Sequence, residues 1–164
     1  MFALYITHPQ VAIDPAVPVP DWGFSERGRE RSLLAASAGW AGQIGRFVAS
    51  TERKAIETAE ILSAGRRAVE TDHAMGENDR SATGYLPPEA FEAAANEFFA
   101  SPEHSFRGWE RAADAQARIV SAVERVLAGH DRKIPIAFIG HGGVGTLLKC
   151  HLKGTPIRRD GDQP

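Results

Sequence analysis

Two histidines, one arginine and two neighbouring acids are the residues of this 164-residue chain whose types and positions could do chemistry. His8 ends the apolar run Phe2-Ala3-Leu4-Tyr5-Ile6-Thr7, and His141 ends Ile134-Pro135-Ile136-Ala137-Phe138-Ile139-Gly140. Runs of that length read as buried strands, and an open α/β sheet binds ligands beyond the carboxyl ends of its strands. A histidine there becomes a nucleophile when a carbonyl holds its other ring nitrogen and so fixes the tautomer. Arg53 falls in the first turn of a helix after the run Arg46-Phe47-Val48-Ala49, where free N–H groups and an arginine fork suit a phosphate. Gly142 and Gly143 let backbone approach an anion at a second helix start. Glu77 and Asp79, in a stretch without periodicity, offer the protonatable carboxyl that a leaving oxygen needs, and the residues leave open which of the two works. The chemistry these groups fit is phosphoryl transfer, which wants donors and positive charge around three equatorial oxygens.

The elements that must position them alternate between strand and helix. The first strand, about residues 2 to 7, runs into Pro9, Pro15, Pro18 and Pro20, which predict a loop. Ser25 is an N-cap candidate for a helix reaching about Ser37. After a glycine-marked break from Gly39 to Gly45, Arg46 to Ala49 form a second strand. Ser50 or Thr51 then caps a helix whose apolar face is Ala55, Ile56, Ala59, Ile61 and Leu62. That helix ends near Gly65, and Arg67 to Thr71 form a third strand. Residues 73 to 88 read as a loop, Pro88 to Ala100 as a helix, Trp109 to Leu127 as a longer helix, 134 to 139 as the clearest strand and Val144 to Leu152 as the last helix. Thr155 to Pro164 read as irregular. This order predicts an α/β fold, a three-layer α/β/α sandwich with a largely parallel central sheet, in a single domain over 1–164.

Composition narrows the classes of function. Hydrophobic residues make up 43% and charged residues 24%, ordinary values for a globular domain. A net charge of −2 argues against a nucleic-acid partner, and Arg27, Arg29 and Arg31 read as a solvated helix face. The lone cysteine, Cys150, rules out an internal disulfide framework and reads as a buried small residue, which suits the cytoplasm. No signal-like amino terminus or membrane-length apolar run is present in the sequence. His73, His104, His130 and His151 show no metal-ligand spacing, and Trp22, Trp40 and Trp109 read as packing anchors. No cofactor, metal or second subunit is called for.

The ordered motifs resemble the histidine phosphatase superfamily, the phosphoglycerate-mutase-like proteins. Ile139-Gly140-His141-Gly142-Gly143-Val144-Gly145-Thr146 is similar to the family's second-histidine motif. Ser50-Thr51-Glu52-Arg53-Lys54-Ala55-Ile56-Glu57-Thr58-Ala59 is similar to its arginine motif, Phe24-Ser25-Glu26-Arg27-Gly28-Arg29 to the segment opening its first helix, and Met75-Gly76-Glu77 to the stretch carrying its acid. The resemblance spans about residues 2 to 152. It implies that His8 takes the phosphoryl group, that Glu77 protonates the leaving group, and that Arg53 and His141 bind phosphate without a metal ion. One departure stands out: where the family has Arg-His-Gly, this chain has Thr7-His8-Pro9. Thr7 donates a neutral hydrogen bond and no charge, so Arg80, Arg27 and Arg29 become candidates to replace the missing cation. The expected function is hydrolysis of a phosphoric monoester, on a phosphorylated small molecule or a phosphoprotein. A phosphate- or phosphopeptide-binding protein without catalysis, and less strongly a mutase, are the alternatives.

Overall fold

The structure, a computed structural model, describes residues 2–160. Its centre is a sheet of four parallel strands, β1 (Ala3–Thr7), β2 (Arg46–Ser50), β3 (Val69–Asp72) and β4 (Ile136–Gly140), in the order β1-β4-β2-β3. The register sets Thr7 beside Gly140 and Ala49 beside Ile139, so three strands finish level and deliver His8, His141 and Ser50 to one edge. The His8 N–H extends that ladder onto the Gly140 carbonyl at 3.1 Å.

Among the described residues five helices cover the sheet: α1 (Glu26–Ser37), α2 (Arg53–Ser63), α3 (Pro88–Ala100), α4 (Ala112–Ala128) and α5 (Gly142–Leu152). The period-two alternation of the central strands assigns the faces. Phe47, Ala49, Ala137 and Ile139 point to the side packed by α2, where they meet Ala55, Ala59 and Leu62. Val48, Ile136 and Phe138 point to the other side and meet Phe98 and Phe99 of α3, Ala115 and Ile119 of α4, and Val144 and Leu147 of α5. Both faces of β2 and β4 are buried, as a parallel sheet requires. The observed layers match the expected three-layer α/β/α arrangement.

Several boundaries carry physical information. Ser25 caps α1 as predicted, its hydroxyl accepting from the Gly28 N–H at 3.0 Å. Neither Ser50 nor Thr51 caps α2: its N-cap is Glu52, and the Ser50 hydroxyl is turned toward His141. The expected helix from Trp109 starts instead at Ala112. Trp109 is buried among Phe91, Phe98 and Phe106, with its indole N–H donating to Thr83 Oγ1 at 2.8 Å, so it plugs the core ahead of the helix. The last helix begins at Gly142, two residues before the predicted Val144, because a carboxylate from elsewhere in the chain caps it. Residues 155–160 form neither helix nor strand, and the remainder of the predicted irregular tail lies outside the described residues.

Candidate active site

The two histidines meet at the carboxyl edge of the sheet. Their rings lie 5.2 Å apart between centroids at an interplanar angle of 69°. His8 Nδ1 lies 2.8 Å from the Pro9 carbonyl, which accepts a hydrogen bond from Nδ1–H and so leaves Nε2 with its lone pair. Burial pulls the His8 pKa down, the Pro9 carbonyl opposing it only in part. Fully buried His141 places Nε2 2.9 Å from Ser50 Oγ and 3.3 Å from Glu52 Oε1, and its Nδ1 has no hydrogen-bond partner among the described residues. Burial lowers its pKa to about 4, against the pull of Glu52 and Glu77. At neutral pH both rings are therefore uncharged.

Glu77 reaches this edge from the loop after β3. Its carboxylate accepts from the N–H groups of Gly143 at 3.1 Å, Val144 at 3.0 Å and Asn78 at 3.1 Å. An anion at the amino end of α5 meets both orphan donors and the positive end of the helix dipole. A Cβ on Gly143 would sit 2.7 Å from Glu77 Oε1, so glycine at that position is what lets the acid in. Burial pushes the Glu77 pKa up, but His141, Arg80 and the surrounding N–H groups outweigh it and hold the carboxyl below its usual range. Asp79, the competing acid, is exposed and spends its carboxylate on the Ser81 N–H at 2.8 Å.

Arg118 of α4 secures the loop that carries Glu77. Its guanidinium donates to the carbonyls of Ala74 (2.9 Å), Gly76 (3.0 Å) and Glu77 (3.2 Å) and pairs with Glu110 at 2.7 Å. Tyr5, half-buried beneath the second histidine motif, accepts from the His141 N–H at 3.2 Å. Burial raises the Tyr5 pKa well above the ordinary phenol value, which keeps it protonated. Gly140 and Gly145 are shaped by the same ring: a Cβ on Gly145 would approach it to 2.7 Å, and one on Gly140 would strike the hydroxyl.

Arg53 lies on the exposed face of α2. Its side chain is 63% exposed, pairs with Glu57 at 2.8 Å and lies against Gly23. The cation that enters the site is its neighbour Lys54, whose side chain is only 4% exposed. Lys54 Nζ lies 2.5 Å from Glu52 and donates to the Val19 carbonyl at 2.7 Å, and its charge acts on both histidines. Helical spacing carried the signal. Lys54, Thr58 and Leu62 recur every four residues on the buried face, whereas Arg53 and Glu57 form an i,i+4 pair of the kind found at surfaces.

Glu52 is the other group missed, and it forms the hub of the site. It contacts His141 and Lys54, and Oε1 accepts from the Glu77 N–H at 2.8 Å. Burial raises its pKa, but His141 and Lys54 together draw it below the ordinary carboxylate value. Of the other predicted residues, Thr7 and Gly142 line one cavity with His8 at the ends of β1 and β4. Arg80 acts on Glu77 from a perch over Phe91 (5.1 Å to the ring centroid) and Trp109 (5.7 Å). Arg27 and Arg29 are exposed on α1, as a solvated face would be. Among the described residues, no group of three or more His, Cys, Asp or Glu side chains could hold a metal ion.

No curated protein sequence matches this chain. Solved structures share its fold. Bacillus stearothermophilus YhfR superimposes with a TM-score of 0.82 at 22% identity, covering 99% of this chain and 84% of that one. A mycobacterial glucosyl-3-phosphoglycerate phosphatase in complex with inorganic phosphate superimposes with a TM-score of 0.77 at 23% identity, covering 94% and 80%. An Entamoeba histolytica phosphoserine phosphatase in complex with phosphoserine gives 0.72 at 13% identity, covering 96% and 82%. The family model "histidine phosphatase superfamily (branch 1)" matches residues 16–161, a span that starts after Thr7-His8-Pro9 and takes in Glu52, Lys54, Glu77 and His141. By that match, the chain belongs to the histidine phosphatase superfamily.

Proposed function

We propose that the protein is a phosphomonoesterase that works through a phosphohistidine on His8. The observation that carries this reading is the 2.8 Å approach of His8 Nδ1 to the Pro9 carbonyl, which leaves Nε2 free in an uncharged ring. In the first step the Nε2 lone pair forms the N–P bond as the ester P–O bond breaks, and the Glu77 carboxyl gives its proton to the departing oxygen. In the second step the Glu77 carboxylate takes a proton from water as its oxygen attacks phosphorus, the N–P bond breaks, and phosphate leaves. Lys54, and His141 in the tautomer that carries its proton on Nδ1 while the Ser50 hydroxyl donates to Nε2, are the donors offered to the phosphoryl oxygens. Lys54 replaces in part the charge that Thr7 does not carry.

This assignment has a pH consequence. The productive form needs Glu77 protonated and His8 neutral, and both groups have pKa values below their ordinary ones of 4.5 and 6.5. Turnover therefore peaks on the acid side of 6.5, and esters of weakly basic alcohols react fastest because they least need the proton. The test is an acid-free quench of a reaction with phenyl phosphate, followed by detection of an acid-labile phosphoprotein. Its appearance in the parent and loss in His8→Ala are expected; turnover that survives His8→Ala overturns the assignment.

A second reading is favoured by one contact. The Lys54 ammonium is already engaged by Glu52 and by Val19, so the charge left for a phosphate dianion is smaller than an unpaired cation would supply. On that reading the protein binds a phosphorylated ligand without turning it over. Phosphate affinity with no phosphohistidine under the same quench would select it.

A further inference from the structure

Beside the histidine edge lie two clefts that share Val19, Arg80 and Gly84. One, of about 450 Å³, counts Glu52, Glu77, Asn78 and Arg118 among its lining residues. The other, of about 260 Å³, runs between the loop before α1 and the segment entering α3, walled by Ile13, Trp22, Tyr85, Leu86 and Phe91. An apolar cavity of about 150 Å³ is already enough for benzene, so the second cleft has room for a substituted ring. Its walls are set rather than loose. Trp22 donates its indole N–H to the Asp14 and Val17 carbonyls and packs edge-on to Tyr85 at 6.0 Å. Lys54 pins the same loop through Val19, which ties this wall to the histidine site.

Two donors at the junction are open to a ligand acceptor. Asn78 is 7% exposed, and its Nδ2 makes no hydrogen bond among the described residues. A buried amide left in that state is desolvated without compensation, and a ligand acceptor would restore its hydrogen bond. The Arg80 guanidinium, stacked on Phe91 and Trp109, makes no ion pair among the described residues. Stacking fixes the plane of the fork and leaves its edge N–H groups to meet a planar carboxylate.

We propose that Asn78, Arg80 and the adjoining aromatic cleft form the leaving-group subsite, and that it takes an aromatic ring bearing a carboxylate. This rests on the phosphomonoesterase reading, with the phosphoryl group at His8 and the ester oxygen beside Glu77. The ring lies between Trp22, Tyr85 and Phe91, and the carboxylate meets the Arg80 fork and Asn78 Nδ2. A weakly basic phenol is also the kind of leaving group that an ionised acid tolerates best.

The test compares kcat/KM for phenyl phosphate, para-carboxyphenyl phosphate and glycerol phosphate. The order para-carboxyphenyl, then phenyl, then glycerol is expected, with about tenfold lost from the first-to-second ratio in Arg80→Met. Tyr85→Ser and Ile13→Ser, both on the cleft rim, lower the phenyl-to-glycerol ratio. Equal rates for the three esters, or ratios unmoved by Arg80→Met, overturn the subsite while leaving the phosphatase reading intact. If no ester turns over, the phosphatase reading fails and binding of the product analogue para-hydroxybenzoate, followed by tryptophan fluorescence, decides the subsite alone. Saturable binding weakened in Arg80→Met supports it, and no binding overturns it.

Discussion

At the scale of single residues, the site is a balance of charges. Two neutral histidines, two carboxylates and one buried ammonium replace the arginine-rich arrangement that the resemblance implies. Lys54 and Glu52 are mutually dependent, because Lys54 is buried, Glu52 is largely so, and each charge would be costly alone. Removing one partner of a buried pair costs about 3–5 kcal/mol. Lys54→Met is expected to lower stability by about that amount, read as a fall in the urea midpoint at unchanged slope. By contrast Arg53→Met, which breaks only an exposed pair, should shift stability by about 0.5 kcal/mol or less. Equal effects of the two substitutions would refute the placement of Lys54 as the internal cation.

At the scale of elements, the glycines of the turn into α5 are explained by what crosses it. Gly143 admits the Glu77 carboxylate, and Gly140 and Gly145 admit the Tyr5 ring from the neighbouring strand. Gly140→Ala therefore overpacks β1 against β4, at a cost of about 1–3 kcal/mol. In a Tyr5→Phe background the hydroxyl it strikes is gone, so the penalty should shrink, giving a favourable coupling energy in a double-mutant cycle. Additive effects would mean that the clash is relieved elsewhere. Arg118 works at the same scale: it welds α4 to the loop after β3, so the acid is positioned by a helix that touches no reacting atom.

At the scale of the whole molecule, burying His141 links folding to pH. Its pKa falls from 6.5 in the unfolded chain to about 4 in the folded one. Between those values the unfolded chain binds the extra proton, so stability is complete above 6.5 and declines as pH drops toward 4. At about 1.4 kcal/mol for each pH unit the loss amounts to about 3 kcal/mol, and His8, shifted the same way, adds to it. Urea unfolding at neutral pH and near pH 4.5 should show this decline, and His141→Gln should flatten most of it. A parent protein equally stable at both would contradict the buried neutral ring. None of the helices among the described residues is long and apolar enough to cross a membrane.

The sequence by itself determined the alternation of strands and helices, the span of α3 to the residue, and the two strand-end histidines. The alternation and the strand ends follow from hydrophobic period, proline and glycine, and α3 from its Ala, Glu and Phe content, all of which act over a few neighbouring residues. It also brought Glu77 forward, through the resemblance of Met75-Gly76-Glu77, but left it level with Asp79 by chemistry alone. Tertiary structure separated the two, because only Glu77 meets the open N–H groups of a helix 66 residues further along the chain. It likewise exchanged Arg53 for Lys54. Adjacent residues on a helix point about 100° apart, so which of two neighbouring cations enters the site depends on which face packs against the sheet. Glu52, Asn78 and Arg118 were legible to no local rule, since each is defined by partners that only the folded chain supplies.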